Sequence, residues 1–562
     1  MKILTGKDIR EADLYTIEHE PVASIDLMER AAVALEAEVV AEAEKAEAAE
    51  GAAHKTEYLI FAGKGNNGGD GLALARLLKQ RYGDSRRVSA VILNVPEELS
   101  ADCRTNLERL PESVERYVLA DGAVLDSAGN EVAPESLFGR STVVIDAILG
   151  TGVNGAVRGK ALQAIRFLNG HSGCCREVIS VDLPSGLPCC PDGLRETDAS
   201  VLLDETGAPS AVSAGLTLTI EFPKLSLLLP ESGKFAGRVR TVHIGLDRKF
   251  IDSCESPWIA VDAGFAASLL RPRGEFDHKG THGHVLVIAG SAEYLGAAIL
   301  CTGAALRSGC GLVSAHIPAE GRTAMLIAHP SAIISAGDSA VFSTLPEKLS
   351  AYSAFAVGPG IGRSDITADA LKELLFSLMQ LDGRRTLVLD ADALNIISAH
   401  PEMLGIIPGG SVLTPHVLEL SRLLQAALES GFIEDADDAM LLPGRTRQAT
   451  GRPWRHDMHE ILLVRQLSRR LKSVIVVKGA HTMVCSPDGR CFFNMSGNPG
   501  MAKGGSGDLL TGLTAGLAAR GYDALDAALL AVWFHGRAGD AAAAECGVES
   551  MNASDMLRHI KI

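Results

Sequence analysis

The sequence predicts an α/β protein built of two three-layer αβα domains, and three observations carry that expectation. The chain has 562 residues, more than one hydrophobic core ordinarily serves. Short apolar runs alternate with helical or polar segments along most of its length, as a parallel sheet with crossover helices requires. The alternation occurs twice, and between the two series the stretch 248–283, with Pro257, Pro272 and several glycines, reads as a linker and the entry to a new domain. The expected domains are residues 1–250 and 251–562.

Residues 8–49 read as helical, and "ALEAEVVAEAEKAEAAEGAA" within them as a solvated face rather than a binding surface. The first series of strands is "YLIFAG", "RVSAVILNV", "TVVIDAILG", "EVISVDLP" and "LTLTIEF", closing near "GRVRTVHIGLD". The second runs through "HVLVIAGS", "FAVGPGIG", "TLVLDADALN", "SVLTPH" and "SVIVVKGAHTMV", and ends in the glycine-rich "NPGMAKGGSGDLLTGLTAGLAA". Residues 426–460 show no clear periodicity and are expected to form a mobile surface insertion.

Composition narrows the function. A formal net charge of -16 without a lysine/arginine cluster argues against nucleic acid or an anionic membrane surface as the main partner. No uncharged apolar run reaches membrane-spanning length and the charged start lacks a signal-peptide core, so a cytoplasmic protein is expected. Eleven cysteines include the pairs Cys174-Cys175 and Cys189-Cys190 but no Cys-x-x-Cys, which points to reduced thiols rather than zinc or disulfides. The apolar, alanine-rich helices predict a homo-oligomer.

The opening loop, "FAGKGNNGGDGLALARLL", places five glycines with Asn66, Asn67 and Asp70 between a strand and a helix. Glycine lets backbone amides approach a ligand closely, and a helix start offers unpaired N–H groups and a positive dipole end, so an anion suits this turn. The pattern is neither a Walker loop nor the spaced dinucleotide fingerprint. Two further strand ends carry polar residues: "VIDAILGTGVNGAVRG" with Asp146, and "VISVDLPSGL" with Asp182 and Ser185. In open α/β sheets ligands lie outside the carboxyl ends of strands, so the three loops are expected to converge. The second half carries "NPGMAKGGSGDLLTG", in which Asp508 follows glycines that open a helix. A carboxylate at such an anion hole can deprotonate a hydroxyl while the amides stabilise charge on a transferring phosphoryl group.

These motifs resemble a known family. "GKGNNGGDGL", "DAILGTG", "VDLPSG" and the lysine of "FPKLSLLLP" resemble, in this order, the epimerase domain of NAD(P)H-hydrate repair enzymes. The Gly-x-Gly-Asp around Asp508 resembles that of ribokinase-fold enzymes. "VGPGIGR", "LDADALN", "TPHVLELSRLL" and "VVKGAHTMV" narrow that likeness to the hydrate dehydratase of the same pathway. The resemblance implies a Rossmann-like first domain and a ribokinase-like second one.

By that resemblance Asn66, Asn67, Gly68, Gly69, Asp70, Gly150, Thr151, Gly152, Val153, Asn154, Gly155, Ala156 and Asp182 contact the hydrated dinucleotide. Asn67, Asp146 and Ser185 hold a potassium ion, Asp182 transfers a proton beside C6, and Lys224 assists as an acid or binds phosphate. In the second domain Ala298, Gly360, His416 and Asp508 contact the hydrate. Lys478, Gly479, Ala480, His481, Thr482 and Gly507 bind the adenine nucleotide, with Asp508 as base and Mg2+ assisting. Where the family has Thr-Pro-His-Pro-Gly-Glu this chain has Val417 and Leu418, expected to alter the turn, and Lys503 is expected to add charge beside the phosphate loop.

The implied activity is epimerisation of the R and S hydrates of NADH and NADPH, through a ring-opened or a dehydrated intermediate, with ADP-dependent dehydration of the S form. ADP is expected over ATP, with AMP and phosphate released. Two rivals remain at this level: a ribokinase-like vitamin or small-alcohol kinase, and a first half that binds nucleotides without catalysis.

Overall fold

The computed structural model describes residues 1–49, 55–120, 122–153, 155–190, 202, 207–383, 385–435 and 452–562. They form two compact units, Lys2–Ser256 and Pro257–Ile562, the second also counting Met1.

The first unit holds an eight-stranded sheet of β1 (Glu57–Ala62), β2 (Val88–Ile92), β3 (Glu115–Ala120), β4 (Ala123–Leu125), β5 (Thr142–Ala147), β6 (Glu177–Val181), β7 (Leu216–Ile220) and β8 (Arg238–Val242). Its order is β4-β3-β2-β1-β5-β6-β7-β8, parallel throughout except for β4. The strand order reverses between β1 and β5. That switch point opens a crevice beyond their carboxyl ends, where the glycine loop and the residues after Asp146 emerge. The central strands are buried on both faces, which is why they read as continuous apolar runs rather than alternating ones.

Residues 8–49 form two helices, Gly6–His19 and Ser24–Ala49, rather than one. The alanine/glutamate-rich stretch is not simply solvated. Leu35, Val39, Val40 and Ala43 are buried against the sheet core. Several of its glutamates are paired instead of free: Glu36 with Arg81 at 2.6 Å, Glu42 with Arg238 at 2.8 Å and Arg240 at 3.0 Å, and Glu47 with Arg86.

The second unit holds a ten-stranded sheet of β9 (Trp258–Val261), β10 (His284–Ile288), β11 (Leu312–Pro318), β12 (Ile333–Gly337), β13 (Ala354–Val357), β14 (Thr386–Leu389), β15 (Val412–Leu413), β16 (Val474–Val477), β17 (Met483–Cys485) and β18 (Cys491–Asn494). The order is β12-β11-β10-β13-β14-β15-β16-β17-β18-β9, and only β17 runs against its neighbours. The stretch 248–283 is therefore more than a linker: it contains the helix Arg248–Ser253, edge strand β9 and the helix Ala263–Leu269. The expected insertion is likewise bounded by structure, since the helices Val417–Glu429 and Asp457–Leu471 enter it from both sides. Residues 436–451 lie outside the described residues.

The helix Ser506–Ala519 lies against Leu295–Arg307 so closely that a Cβ on Gly512 would sit 1.9 Å from the Cys301 carbonyl oxygen. Gly512→Ala is expected to push the helices apart and cost about 1–3 kcal/mol, read as a lower midpoint in urea unfolding. Among the described residues no helix is long and apolar enough to cross a membrane.

Candidate active sites

In the first unit, four consecutive parallel strands bring their carboxyl ends to one edge. After β1 the chain turns through Gly63 into the helix Asn66–Tyr82. A Cβ at Gly63 would lie 1.9 Å from the Ile148 carbonyl oxygen, so the turns after β1 and β5 touch only because that position is bare. After β6 comes Asp182, and after β7 come Glu221 and Lys224. Asp182 and Glu221 both adopt left-handed backbone, φ 67° and 56°, at which side chains other than glycine are strained; such strain collects at functional sites.

These loops line a cavity of about 990 Å3. Its walls include Asn66, Asn67, Asp70, Gly150, Thr151, Gly152, Val153, Gly155, Ala156, Asp182 and Lys224, so the sequence-predicted dinucleotide residues come together. Gly68 and Gly69 lie buried behind this lining in the first helical turn, and Asn154 lies outside the described residues.

Lys224, 1% exposed, sends its ammonium to Asp182 Oδ1 and to the Ile220 carbonyl at 2.8 Å; the same Asp182 oxygen accepts from the Ile220 amide at 3.0 Å. Lys224 therefore serves Asp182 directly. Glu221 accepts from the Ile244 and Gly245 amides at 2.7 and 3.0 Å. Sequence reasoning missed Asp13, from the helix Gly6–His19, which also lines the cavity. Burial and then the charge of Asp182 push its pKa up to about 6. Burial, then Asp182 and Asp13, hold Asp70 well above the carboxylate range.

Asp146 is fully buried at the end of β5. Its Oδ1 accepts from Ser185 Oγ at 2.5 Å, and its Oδ2 accepts from Ser180 Oγ at 2.7 Å and the Ser185 amide at 2.8 Å. The Leu149 carbonyl accepts from Ser185 Oγ at 3.1 Å and from Asn67 Nδ2 at 3.0 Å. Asn67, Asp146 and Ser185 thus meet around that carbonyl. The set is carboxylate, hydroxyl, amide and carbonyl oxygen, which fits a hard cation and offers nothing to a soft one.

In the second unit Asp508 occupies the first turn of Ser506–Ala519, where helix amides are free. Burial, then nearby Asp390, pushes its pKa up to about 7. Beside it Asp390, 1% exposed at the end of β14, accepts from Lys478 Nζ and from Thr511 Oγ1, both at 2.7 Å. Lys478 also lies 3.8 Å from Glu419. Burial opposes the Lys478 charge, but Asp390 and Glu419 outweigh it and hold its pKa above the ordinary value. A Cβ on Gly507 would sit 3.2 Å from Lys478 Nζ, so this lysine faces the glycine loop.

His416 caps the helix Val417–Glu429: its Nδ1 accepts from the Leu418 amide at 3.1 Å, and its Nε2 lies 3.3 Å from Glu419 Oε1. Val417 and Leu418 accordingly begin a regular, doubly capped helix rather than a loosened turn. Gly360, at φ 64°, packs in the turn after β13 against Tyr294, while Ala298 is fully buried in Leu295–Arg307. Residues 478–482 form the turn between β16 and β17, with Ala480 exposed and Thr482 Oγ1 bonded to the Gly479 carbonyl at 3.1 Å. His481 donates through Nδ1 to the Asn494 carbonyl at 3.1 Å and so points into the sheet.

Lys503 does not reach the phosphate loop. Its ammonium is spent on the Glu549 and Met551 carbonyls. His535, unmarked in the sequence, donates through Nε2 to the Ser506 carbonyl at 2.9 Å, and burial lowers its pKa to about 4, so it braces the loop as a neutral group.

Fold and geometry define a fused α/β enzyme, a Rossmann-like unit with buried carboxyls around a dinucleotide-sized cavity and a ribokinase-like unit with an acid at a glycine-lined helix start. Residues 24–226 match the family described as YjeF-related protein N-terminus, and residues 285–561 match the one described as NAD(P)H-hydrate dehydratase. The bifunctional NAD(P)H-hydrate repair enzyme Nnr of Moorella thermoacetica is 33% identical, with 99% of this chain and 95% of that protein covered. Its counterpart in Hyperthermus butylicus is 32% identical, with coverage of 99% and 92%. A solved ADP/ATP-dependent NAD(P)H-hydrate dehydratase from Bacillus subtilis, crystallised with ATP and Mg2+, has 26% identity and a TM-score of 0.42 over 54% of this chain and 96% of its own. The chain belongs to the family of bifunctional NAD(P)H-hydrate repair enzymes.

Proposed function

We propose that residues 1–250 interconvert the R and S hydrates of NADH and NADPH, and that residues 251–562 dehydrate the S hydrate at the expense of ADP. The observation that carries the reading is Asp508: a carboxyl poised near neutrality at a helix start, next to the Lys478 ammonium.

In the second unit Asp508 takes the proton of the C6 hydroxyl as that oxygen attacks the terminal phosphorus of ADP, and the bond to AMP breaks. Loss of a C5 proton with departure of phosphate from C6 then restores the dihydropyridine. Lys478 and the amides around Gly507 bind the nucleotide's phosphates, with the turn 478–482 beside the adenosine, and His416, Gly360 and Ala298 frame the hydrate. Asp390 and Glu419, carboxylates beside Lys478, would hold a Mg2+ bound with the nucleotide, which would supply charge neutralisation at the phosphates.

In the first unit the glycine turns 63–69 and 150–156 take the pyrophosphate, and Asp182, fixed by Lys224, exchanges a proton with the hydroxyl on the substrate's C6. Asn67, Asp146, Ser185 and the Leu149 carbonyl would hold a potassium ion, which would supply positive charge to the same turns. We further propose that the protein works in the cytoplasm as a homo-oligomer.

The test mixes the protein with R and S hydrates of NADH, ADP, Mg2+ and K+, and follows dihydronicotinamide absorbance together with phosphate release. Full recovery of both epimers is expected, with slower recovery of R when K+ is withheld. Recovery that stops once S is consumed refutes the epimerase assignment. A stable phosphorylated product moves the second unit to the vitamin kinases.

A further inference from the structure

We propose that Asp13 is the second proton-transfer group of the epimerase site, acting as the acid partner of Asp182. The inference rests on the epimerase reading above and extends it to a residue on a helix that the glycine motifs do not touch.

Inversion at C6 requires that a bond from C6 to oxygen or to the ring nitrogen break and re-form from the other face. Opening the C6–N1 bond needs two proton movements at once. The C6 hydroxyl proton leaves as the carbonyl forms, and N1, which receives the electron pair of the broken bond, takes up another. A carboxyl with both oxygens free can serve both ends, but Asp182 Oδ1 is taken by Lys224 and the Ile220 amide, so a second group has to supply the other proton.

The cavity supplies two carboxyls of unlike character. Asp182 has one oxygen occupied by the Lys224 ammonium and the Ile220 amide, which fix its carboxyl in place and leave the other oxygen free. Asp13 reaches the same cavity from the helix Gly6–His19 and, among the described residues, makes no hydrogen bond or ion pair. Nothing fixes its proton there. It feels Asp182 and Glu221, which favour its neutral form, and Lys224, which opposes it; Asp70 lies near as well. A value of about 6 lets Asp13 both give and regain a proton near neutral pH, whereas burial and the neighbouring carboxyls hold Asp70 well above the carboxylate range.

The cycle then balances. Asp182 takes the hydroxyl proton as C6–N1 breaks, and Asp13 protonates N1, leaving an open aldehyde and an enamine N–H. Rotation about C5–C6 presents the other carbonyl face. N1 returns its proton to Asp13 as it attacks, and Asp182 returns its own to the oxygen.

The experiment uses the full-length protein without ADP, so that dehydration is silent, and follows R-to-S conversion of NADH hydrate by chromatography. Asp13→Asn is expected to lower kcat by about 100-fold or more with KM unchanged, and Asp13→Glu to restore part of the rate. As the acid, Asp13 must be protonated, so wild-type kcat falls as pH rises through about 6, and the Asn variant loses that limb. Dehydration of S hydrate with ADP stays at the wild-type rate and certifies folding of the chain. A wild-type epimerisation rate in Asp13→Asn, or a raised KM with kcat intact, overturns the proposal. Wild-type protein that does not interconvert the epimers, or Asp182→Asn that does so at full rate, overturns the epimerase reading instead.

Discussion

Asp508→Asn lowers the dehydration rate by about 100- to 10,000-fold, while epimer interconversion by the same chain is unaffected. The substitution preserves shape and removes the proposed base. A base has to be deprotonated to act, and burial with Asp390 beside it places the Asp508 pKa at about 7. The wild-type rate therefore rises with pH and levels off above about 7. The Asn variant's residual rate has no such step, because phosphate binding at the helix amides survives without a group to accept the proton. A variant that keeps the wild-type rate and its pH step removes Asp508 from the chemistry. Both quantities come from initial rates on S hydrate with saturating ADP.

Lys478→Met is expected to damage both stability and activity. Its ammonium is the partner of Asp390, which is 1% exposed, and removing one member of a buried pair leaves a charge without compensation, a loss of about 3–5 kcal/mol. Lys478, its pKa held above the ordinary value, is charged at pH 5.5 and at pH 8 alike, so the urea midpoint of Lys478→Met should fall below wild type at both. Lys478 also lowers the pKa of Asp508, so the step in the residual dehydration rate should move to higher pH. Adding Asp390→Asn should recover stability without recovering rate; equal midpoints for wild type and Lys478→Met at both pH values would sink the argument.

The strands that the sequence announced are those buried on both faces, such as β1, β5, β10 and β13, because their side chains are apolar whichever way they point. Of the overlooked strands, β3 and β12 lie at or beside sheet edges and keep exposed positions, so polar residues interrupt their runs. The buried β11 and β18 were missed for another reason, the run of the first being broken by His316 and Pro318 and that of the second only four residues long. Strand β9 hid among prolines and glycines. Glycine loops were legible because their chemistry is local: a bare backbone at a helix start means the same thing wherever it occurs. Asp13, Glu221, Asp390 and Glu419 were not, although Asp390 lies inside the quoted "LDADALN". Their roles arise from burial and from partners far along the chain, which no short window contains. The long helix was misjudged for the same reason, since its glutamates look solvated until the arginines of β8 and of the helix Asn66–Tyr82 are placed beside them. Lys503 shows the reverse error, a charge credited to the nearest motif when its bonds lie with Glu549 and Met551.

Strand β9 opens the second unit in sequence yet finishes its sheet, where its neighbouring strand is β18. As the chain leaves the ribosome this strand must wait, apolar and unpaired, until nearly the whole unit has been made. The stretch matching the dehydratase family begins at residue 285, so a gene trimmed to that match would discard the strand. The trimmed product would bare the backbone of β18 and uncover Phe492 and Phe493, a template for sheet-to-sheet aggregation. Anyone separating the two activities by cutting the gene has to begin the second piece at Pro257.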